Sequence, residues 1–322
     1  MDRKRREHDP LSFFAEMLGT NVENGEIRIP IEKGEGYIRG AKPNRHMGLL
    51  FFNFRLKEKI EYQHLLQEEA NDEKFDQFRY LLFQFRECMA DDTVPLSQRF
   101  VQISTMCVNM EEKVLESNGC ADLYITIDSD YLLKKIPCYD DSPILKSILF
   151  NDRPLFFEHS ISKAMQDIIN EIVDCKMPEA LKNYFLTTEV DELICRLLAF
   201  LSQRPKQTVY PISAQDLKAV YGVRDTMIEK LNTPPVIAQL AKEACMSESK
   251  LKRLFRQVFG DSIFNYYQMR RIQRAAQMLK EGYGSISDVG YALGFTNLSH
   301  FTRIFERTIG MKPKAFSKQQ EC

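Results

Sequence analysis

No stretch of this 322-residue chain approaches a long, uninterrupted apolar run, and a membrane-crossing helix needs roughly 18 or more such residues. No membrane span is therefore expected. The first residues, Met1 to His8, are charged and lead into no long apolar segment, so no secretory signal is expected and Met1–Arg6 reads as a basic tail. The eight cysteines contain no C-x-x-C pair. That excludes the common zinc signatures and gives no disulfide framework, which points to a reducing cytoplasm. The histidines are equally sparse. His46 and His64 have no spaced partner set, so no metal site is expected. Gly34-x-Gly36-x-x-x-Gly40 has the wrong spacing for a phosphate loop and no helix after it, and reads as a tight turn.

What is present is an ordinary globular composition, 44% hydrophobic and 28% charged. At roughly 150 residues per domain the length predicts two domains. The net charge of −1 conceals a division: residues 216–322 hold 17 Lys and Arg against 10 Asp and Glu, or +7, and the rest of the chain balances at −8. Such asymmetry points to a polyanion-binding module joined to a different kind of domain.

The pattern changes twice along the chain. After a short apolar helix over Pro10–Leu18, residues 26–127 are strand-like. Short β-branched and aromatic runs, such as Leu49–Arg55, Phe78–Phe85, Phe100–Val108 and Leu123–Ile127, alternate with turn signals, which predicts a sandwich or small barrel. Residues 61–74 are charged and predict helix or loop. The aromatic set Phe51, Phe52, Phe54, Tyr80, Phe83 and Phe85 divides between core and the lining of a small-molecule pocket. Helical periodicity takes over over 129–204. Ile161, Met165, Ile168, Ile169 and Ile172 share one helix face, and Val190, Leu193, Ile194, Leu197, Leu198 and Leu201 share another. The second stripe reads equally as a dimer seam or an intradomain core. Pro205 and Pro211 then break the pattern, marking a linker over 205–214, and 215–322 reads as helix throughout.

The last third contains a repeat. Leu251–Gly260 aligns with Phe301–Gly310 at an offset of 50, and Ile237–Met246 aligns with Ile286–Phe295 at an offset of 49. Each copy is a short helix, a tight turn and a second helix, giving helix-turn-helix units at about 234–260 and 286–310. Ala241 and Gly290 are small where the helices cross. Ser247 caps the second helix of copy one, and Thr296 or Asn297 that of copy two. The core face is Leu251, Leu254, Phe255 and Val258 in copy one and Phe301, Ile304 and Phe305 in copy two. The opposite faces carry Ser249, Lys250, Lys252, Arg253, Arg256 and Gln257, and Ser299, His300, Thr302, Arg303, Glu306 and Arg307. These groups suit base edges and phosphates in a major groove. Between the copies Ser262–Lys280 is an unbroken helical pattern carrying Arg270, Arg271 and Arg274. At least one of the three is expected to meet phosphate or an acidic partner.

These residues carry a family resemblance. Residues 225–322 resemble the DNA-binding domain of the AraC/XylS family of bacterial transcription regulators. The matching positions are Ile237-Ala238-x-Leu240-Ala241, Met246-Ser247-x-Ser249-x-Leu251-x-Arg253-Leu254-Phe255, Gly260, Arg271-Ile272-x-x-Ala275-x-x-Met278-Leu279, Gly294-Phe295, Ser299-His300-Phe301-x-Arg303-x-Phe305 and Gly310-Met311-x-Pro313. The resemblance implies major-groove readers at Ser249, Lys252 and Arg253 and at Ser299, His300, Thr302 and Arg303. Lys250, Arg256, Arg307, Arg270 and Arg274 join them as DNA-binding candidates. Leu298 stands where members often carry a polar residue, so no base contact is carried over to it. The helical pair before the linker is similar to PchR-like members. The expected fold is therefore α+β: a β-rich N-terminal sensing and dimerising domain with a helical pair over 1–204, then an all-α domain with two helix-turn-helix units. The implied protein is a cytoplasmic, effector-responsive activator. It binds double-stranded DNA and touches RNA polymerase, has a small-molecule effector and a homodimer partner, and needs no cofactor and no catalysis. The rival is a β-barrel enzyme with a metal or nucleophile fused to a DNA reader, which would need the clustered cysteines this chain lacks.

Overall fold

A computed structural model describes residues 10–58, 60–62, 80–88, 99–105, 113–115, 120–136, 142–150, 152–205 and 208–318. The tail Met1–Arg6, His64 and residues 63–74 lie outside the described residues. The chain divides into two compact units between Ala214 and Gln215.

Among its described residues the first unit is built on one antiparallel sheet of seven strands. Their ranges are β1 (Glu26–Arg28), β2 (Gly34–Asn44), β3 (Met47–Leu56), β5 (Tyr80–Arg86), β6 (Phe100–Thr105), β8 (Cys120–Asp128) and β9 (Phe156–Ser160), in the order β1-β2-β3-β8-β5-β6-β9. A separate pair joins β4 (Ile60–Tyr62) to β7 (Lys113–Leu115). The expected sandwich or barrel is corrected to this open sheet, because β1 and β9 stand at opposite edges and helices cover the two faces instead.

Strand alternation shows why both faces must be covered. Met47, Leu49 and Phe51 of β3 enter one core, while Phe52, Phe54 and Leu56 enter the other. Successive side chains of a strand point to opposite faces. On the larger side, paired residues form a buried row across five strands: Leu49, Ile125, Phe83, Ile103 and Phe157. On the smaller side lies α1 (Pro10–Leu18), with Phe14 edge-on to Phe52 at 5.4 Å between ring centroids. The aromatics proposed to divide between core and pocket are thus core. Phe51, Phe83 and Phe85 fill one side, and Phe52 and Phe54 the other, leaving Tyr80 half-buried.

The glycine motif lies within β2 and is not a turn. A methyl group on Gly34 or Gly36 would come within 2.2 Å of a carbonyl oxygen of β3, and one on Gly40 within 2.7 Å of Leu11 Cδ1. These residues let β2 approach β3 closely and let α1 settle on the sheet.

The larger face is covered by α2 (Ser129–Lys135), α3 (Pro143–Phe150), α4 (Lys163–Val173) and α5 (Glu179–Ser202). The helical expectation for 129–204 missed β9. Leu155-Phe156-Phe157 is too short and too apolar to be distinguished from a buried helix by periodicity, and its partner β6 lies about fifty positions away in sequence. Arg39 ties β2 to the helices, donating from Nη2 to the Val173 carbonyl at 2.7 Å while its guanidinium lies 4.5 Å from the Phe51 ring centre. At the end of α5, Arg204 Nη2 donates to the Glu158 carbonyl. Burial brings the Arg204 pKa down to about 10, and burial together with the Arg204 charge brings that of His159 down to about 4. The expected linker is anchored at its far end, where Val209 and Ile212 are buried and Ile212 N–H donates to the Pro154 carbonyl at 3.1 Å.

The stripe on α5 is core. Val190, Leu193, Ile194, Leu197, Leu198 and Leu201 are all buried within this one unit, so they are not available as a seam between chains. Leu197→Asp would place a charge in that core and leave the leucine's volume unfilled, a loss of about 4 kcal/mol or more. The expected outcome in the full chain is loss of the first unit's cooperative transition by circular dichroism. An unchanged transition, with sedimentation showing only a shift in oligomeric state, would contradict the assignment to the core.

Candidate nucleic-acid interface

Among its described residues the second unit is formed by seven helices: α6 (Ala214–Glu229), α7 (Ile237–Glu243), α8 (Glu248–Phe259), α9 (Ile263–Lys280), α10 (Ile286–Ala292), α11 (Leu298–Ile309) and α12 (Pro313–Lys318). Helices α7 and α8 form one turn-linked pair, and α10 and α11 another.

The two turns are built alike. In the first, Met246 N–H donates to the Ala241 carbonyl at 2.9 Å and Cys245 N–H to that of Lys242 at 3.1 Å. In the second, Phe295 N–H donates to Gly290 at 3.0 Å and Gly294 N–H to Tyr291 at 2.8 Å. This is the bonding of a helix ended by one left-handed residue. Gly294 takes that role at φ 75°, and Cys245 takes it at φ 51°. Each second helix then starts on a side-chain cap. Ser247 Oγ accepts from Lys250 N–H at 3.3 Å. Asn297 Oδ1, not Thr296, accepts from Ser299 and His300 at 2.9 and 3.1 Å. Gly260 and Gly310, both left-handed, end α8 and α11.

Apolar spacing decides which face of each helix is free. Leu251, Leu254, Phe255 and Val258 are buried on α8, as are Phe301, Ile304 and Phe305 on α11. Ser249, Lys252, Arg253 and Arg256 are exposed on α8; Ser299, His300, Arg303 and Arg307 are exposed on α11, where Thr302 is half-buried. Gln257, expected on the outer face, is buried. It lies three positions after Leu254, so it extends the apolar stripe sideways. Lys250 is half-buried, with Nζ 2.8 Å from Asp216 of α6. Lys252 pairs with Glu248 one turn away at 3.0 Å. Leu298 is half-buried and faces inward, since a methyl group on Gly290 would lie 2.7 Å from its Cδ2.

The three arginines of α9 have different surroundings. Arg274 is exposed, 3.7 Å from Glu281. Arg270 is half-buried and donates to the Tyr266 hydroxyl at 2.9 Å through Nη2. Arg271 is buried, and its Nε donates to the Leu293 carbonyl at 2.6 Å. Burial lowers its pKa from the ordinary arginine value. The sequence places Arg271 in a matching motif and beside two other arginines expected to meet phosphate or an acidic partner; nothing in its local pattern separates it from Arg270 or Arg274. Among the described residues no group of three or more His, Cys, Asp or Glu is placed to hold a metal ion.

Residues 240–319 match the model of a helix-turn-helix domain. The regulatory protein PchR of Pseudomonas aeruginosa is 31% identical over 118 residues, covering 36% of this chain and 40% of that protein. The arabinose operon regulatory protein of Escherichia coli is 35% identical over 80 residues, 25% of this chain and 27% of its own length. The transcriptional activator RhaR of Pectobacterium carotovorum is 21% identical over 153 residues, 48% of this chain and 54% of that one. The chain thus spans about half, or less, of the length of these relatives. A crystal structure of an AraC-type regulator from Chromobacterium violaceum, 26% identical, covers 34% of this chain and 96% of its own, with a TM-score of 0.32. The second unit is a helix-turn-helix DNA-binding domain. It is of the AraC type, and in this domain the chain resembles the bacterial AraC-family transcription regulators.

The unequal turns lead to a pair of opposed mutations. A left-handed non-glycine residue costs about 1–2 kcal/mol, partly offset by the lower chain entropy that glycine would forfeit. Cys245→Gly is expected to stabilise the second unit by about 0.5 kcal/mol. At Gly294 a methyl group would lie 2.1 Å from the Asn232 carbonyl oxygen, so Gly294→Ala is expected to destabilise it by roughly 3 kcal/mol. Urea unfolding of the two variants measures both. Equal responses at the two turns would contradict this account.

Proposed function

We propose that this chain is a sequence-specific transcription activator that sets α8 and α11 into successive major grooves on one side of double-stranded DNA. The observation that carries the reading is the pair of like-built helices, each with a polar and basic outer face, at the two ends of α9. Eighteen residues of α9 span about 27 Å, against about 34 Å for a turn of B-DNA. Ser249, Lys252 and Arg253 read bases from α8; Ser299, His300, Thr302 and Arg303 read them from α11. Lys250, Arg256, Arg307, Arg270 and Arg274 serve the phosphates, which position the protein without specifying sequence. Lys250 first has to exchange Asp216 for a phosphate. The net +7 of residues 216–322 favours a polyanion.

The activator role is supported by the activator RhaR among the relatives. On this reading the protein works in the cytoplasm and touches RNA polymerase, and the first unit binds a small-molecule effector and pairs with a second copy. Pairing then has to use surface other than the buried stripe of α5.

Two measurements test the reading. A fragment covering 212–322 is expected to fold as helix and bind the operator, with affinity falling steeply as salt rises, because phosphate contacts release counterions. If the full chain binds at low salt and the fragment does not, the assignment of binding to the second unit fails. Binding to a randomised-site library separates readers from clamps. Arg253→Ala is expected to relax preference in one half of the site and Arg303→Ala in the other, each by about 1–3 kcal/mol at the affected bases. Arg274→Ala should weaken all sequences alike and reduce the salt slope by about one. Uniform loss in both reader variants would reassign those arginines to phosphate.

A further inference from the structure

Helix α9 is not the only connection between the two helix-turn-helix pairs. The chain entering the first pair, at Leu231-Asn232, lies against the turn of the second pair, at Leu293-Gly294-Phe295. A methyl group on Gly294 would lie 2.1 Å from the Asn232 carbonyl oxygen and 2.9 Å from its carbonyl carbon. Leu231 packs, partly buried, into the core formed by Phe295, Phe301 and Phe305.

Two side chains one turn apart on α9 clasp this junction. Tyr267 donates its hydroxyl to the Leu231 carbonyl at 2.9 Å. Arg271 donates to the Leu293 carbonyl at 2.6 Å. The Arg271 guanidinium carbon also lies 3.7 Å from the centre of the Phe295 ring and 5.4 Å from that of Tyr267. Phe295 continues the path to the first turn of α11, with ring centres 5.0 Å from Phe301 and 6.4 Å from His300. One end of the clasp therefore holds the entry to the first reader, and the other holds the turn that launches the second.

Arg271 is only 4% exposed. Its partners on this junction are a neutral carbonyl and two rings, an expensive way to bury a cation where an apolar side chain would fill the space. What arginine supplies is a planar group that stacks and hydrogen-bonds at once. Such a group fixes a position and an angle together.

We propose that the Tyr267–Arg271 clasp is a specificity device that sets the separation and rotational phase of α8 and α11, and so the number of base pairs between the two halves of the DNA site. This rests on the two-reader reading above. Each added base pair moves a half-site by about 3.4 Å and turns it by about 34° for ~10.5 base pairs per turn. A rigid pair of readers therefore accepts one spacing, and a loosened pair accepts several. Both residues act through the backbone they hold and are positioning residues.

The experiment uses the full chain. Selection from random double-stranded DNA first gives the wild-type site. A series of duplexes then varies the spacer between its halves from two base pairs shorter to two longer. Wild type is expected to show one optimum, with affinity falling about tenfold or more for a one-base-pair change, as loss of even one charged hydrogen bond would produce. In Arg271→Lys and Tyr267→Phe that ratio is expected to shrink to about threefold or less, while base preference within each half is unchanged. A merely structural role would lower affinity by the same factor at every spacer and leave the ratio intact; that result overturns the proposal. Should Arg271→Lys lose its helical signal, Tyr267→Phe, which removes one hydroxyl, decides the matter alone. A wild-type site without two separable halves would instead overturn the two-reader reading, and this inference with it.

Discussion

The second unit depends on one helix being buried at both ends and on several sides. On α9, Ile263, Tyr266, Tyr267, Arg271, Ile272, Ala275, Ala276, Met278 and Leu279 are all buried. At its start, Tyr266 packs against Phe255 and Phe259 of α8 at 5.4 and 5.1 Å. Towards its end, Ile272, Ala275 and Leu279 share a core with Phe301 and Phe305 of α11. An amphipathic helix with a single stripe could serve only one of these cores. Because α9 serves both, each helix that carries an exposed basic face is packed onto the same rigid rod. The outer faces then have a defined relation to each other through the helix beneath them.

The first unit meets a related demand through a sheet. Its central strands are covered on both faces, so their residues read as nearly continuous apolar runs. Phe51 and Phe52 are neighbours in sequence but belong to different cores. Helix α1 completes the smaller core, and α4 and α5 complete the larger. The stripe on α5 is thereby consumed within the chain. Its outward face is a different surface, carrying Leu181 and Tyr184, which are exposed.

How much of this could be read from the residues follows the range of the interactions. Caps and helix faces depend on neighbours within a turn or two: Ser247, Leu254 and Phe305 take the places their spacing predicts, and Asn297 is the one of two candidate residues that caps its helix. Strand order depends on distant partners. Strand β8 lies between β3 and β5, and nothing local in Leu123–Ile127 specifies that position. The same limit explains β9 and the glycines of β2, whose neighbours belong to other strands or to α1. Gln257 shows a finer version of it: the width of a buried stripe depends on what packs beside it. The clasp was hidden for a similar reason. Three arginines at close spacing on one helix look alike until the carbonyl beneath one of them is known.

The two pairs look like copies, but their environments make them unequal. The same left-handed position in the turn is filled by Cys245 in one and Gly294 in the other. Cys245 is exposed, so a side chain there costs only its backbone strain. Gly294 has the Asn232 carbonyl against it, so any side chain would have to move the chain that enters the first pair. The first turn is therefore free to vary in residue type, whereas the second is fixed by a contact from outside its own pair. That contact runs from the chain entering the first pair to the turn of the second, which makes the second turn part of the joint between readers as well as part of a reader. The two turns would be equivalent only if each pair folded alone. Here the junction at Leu231-Asn232 removes that independence, and the residue at position 294 records it.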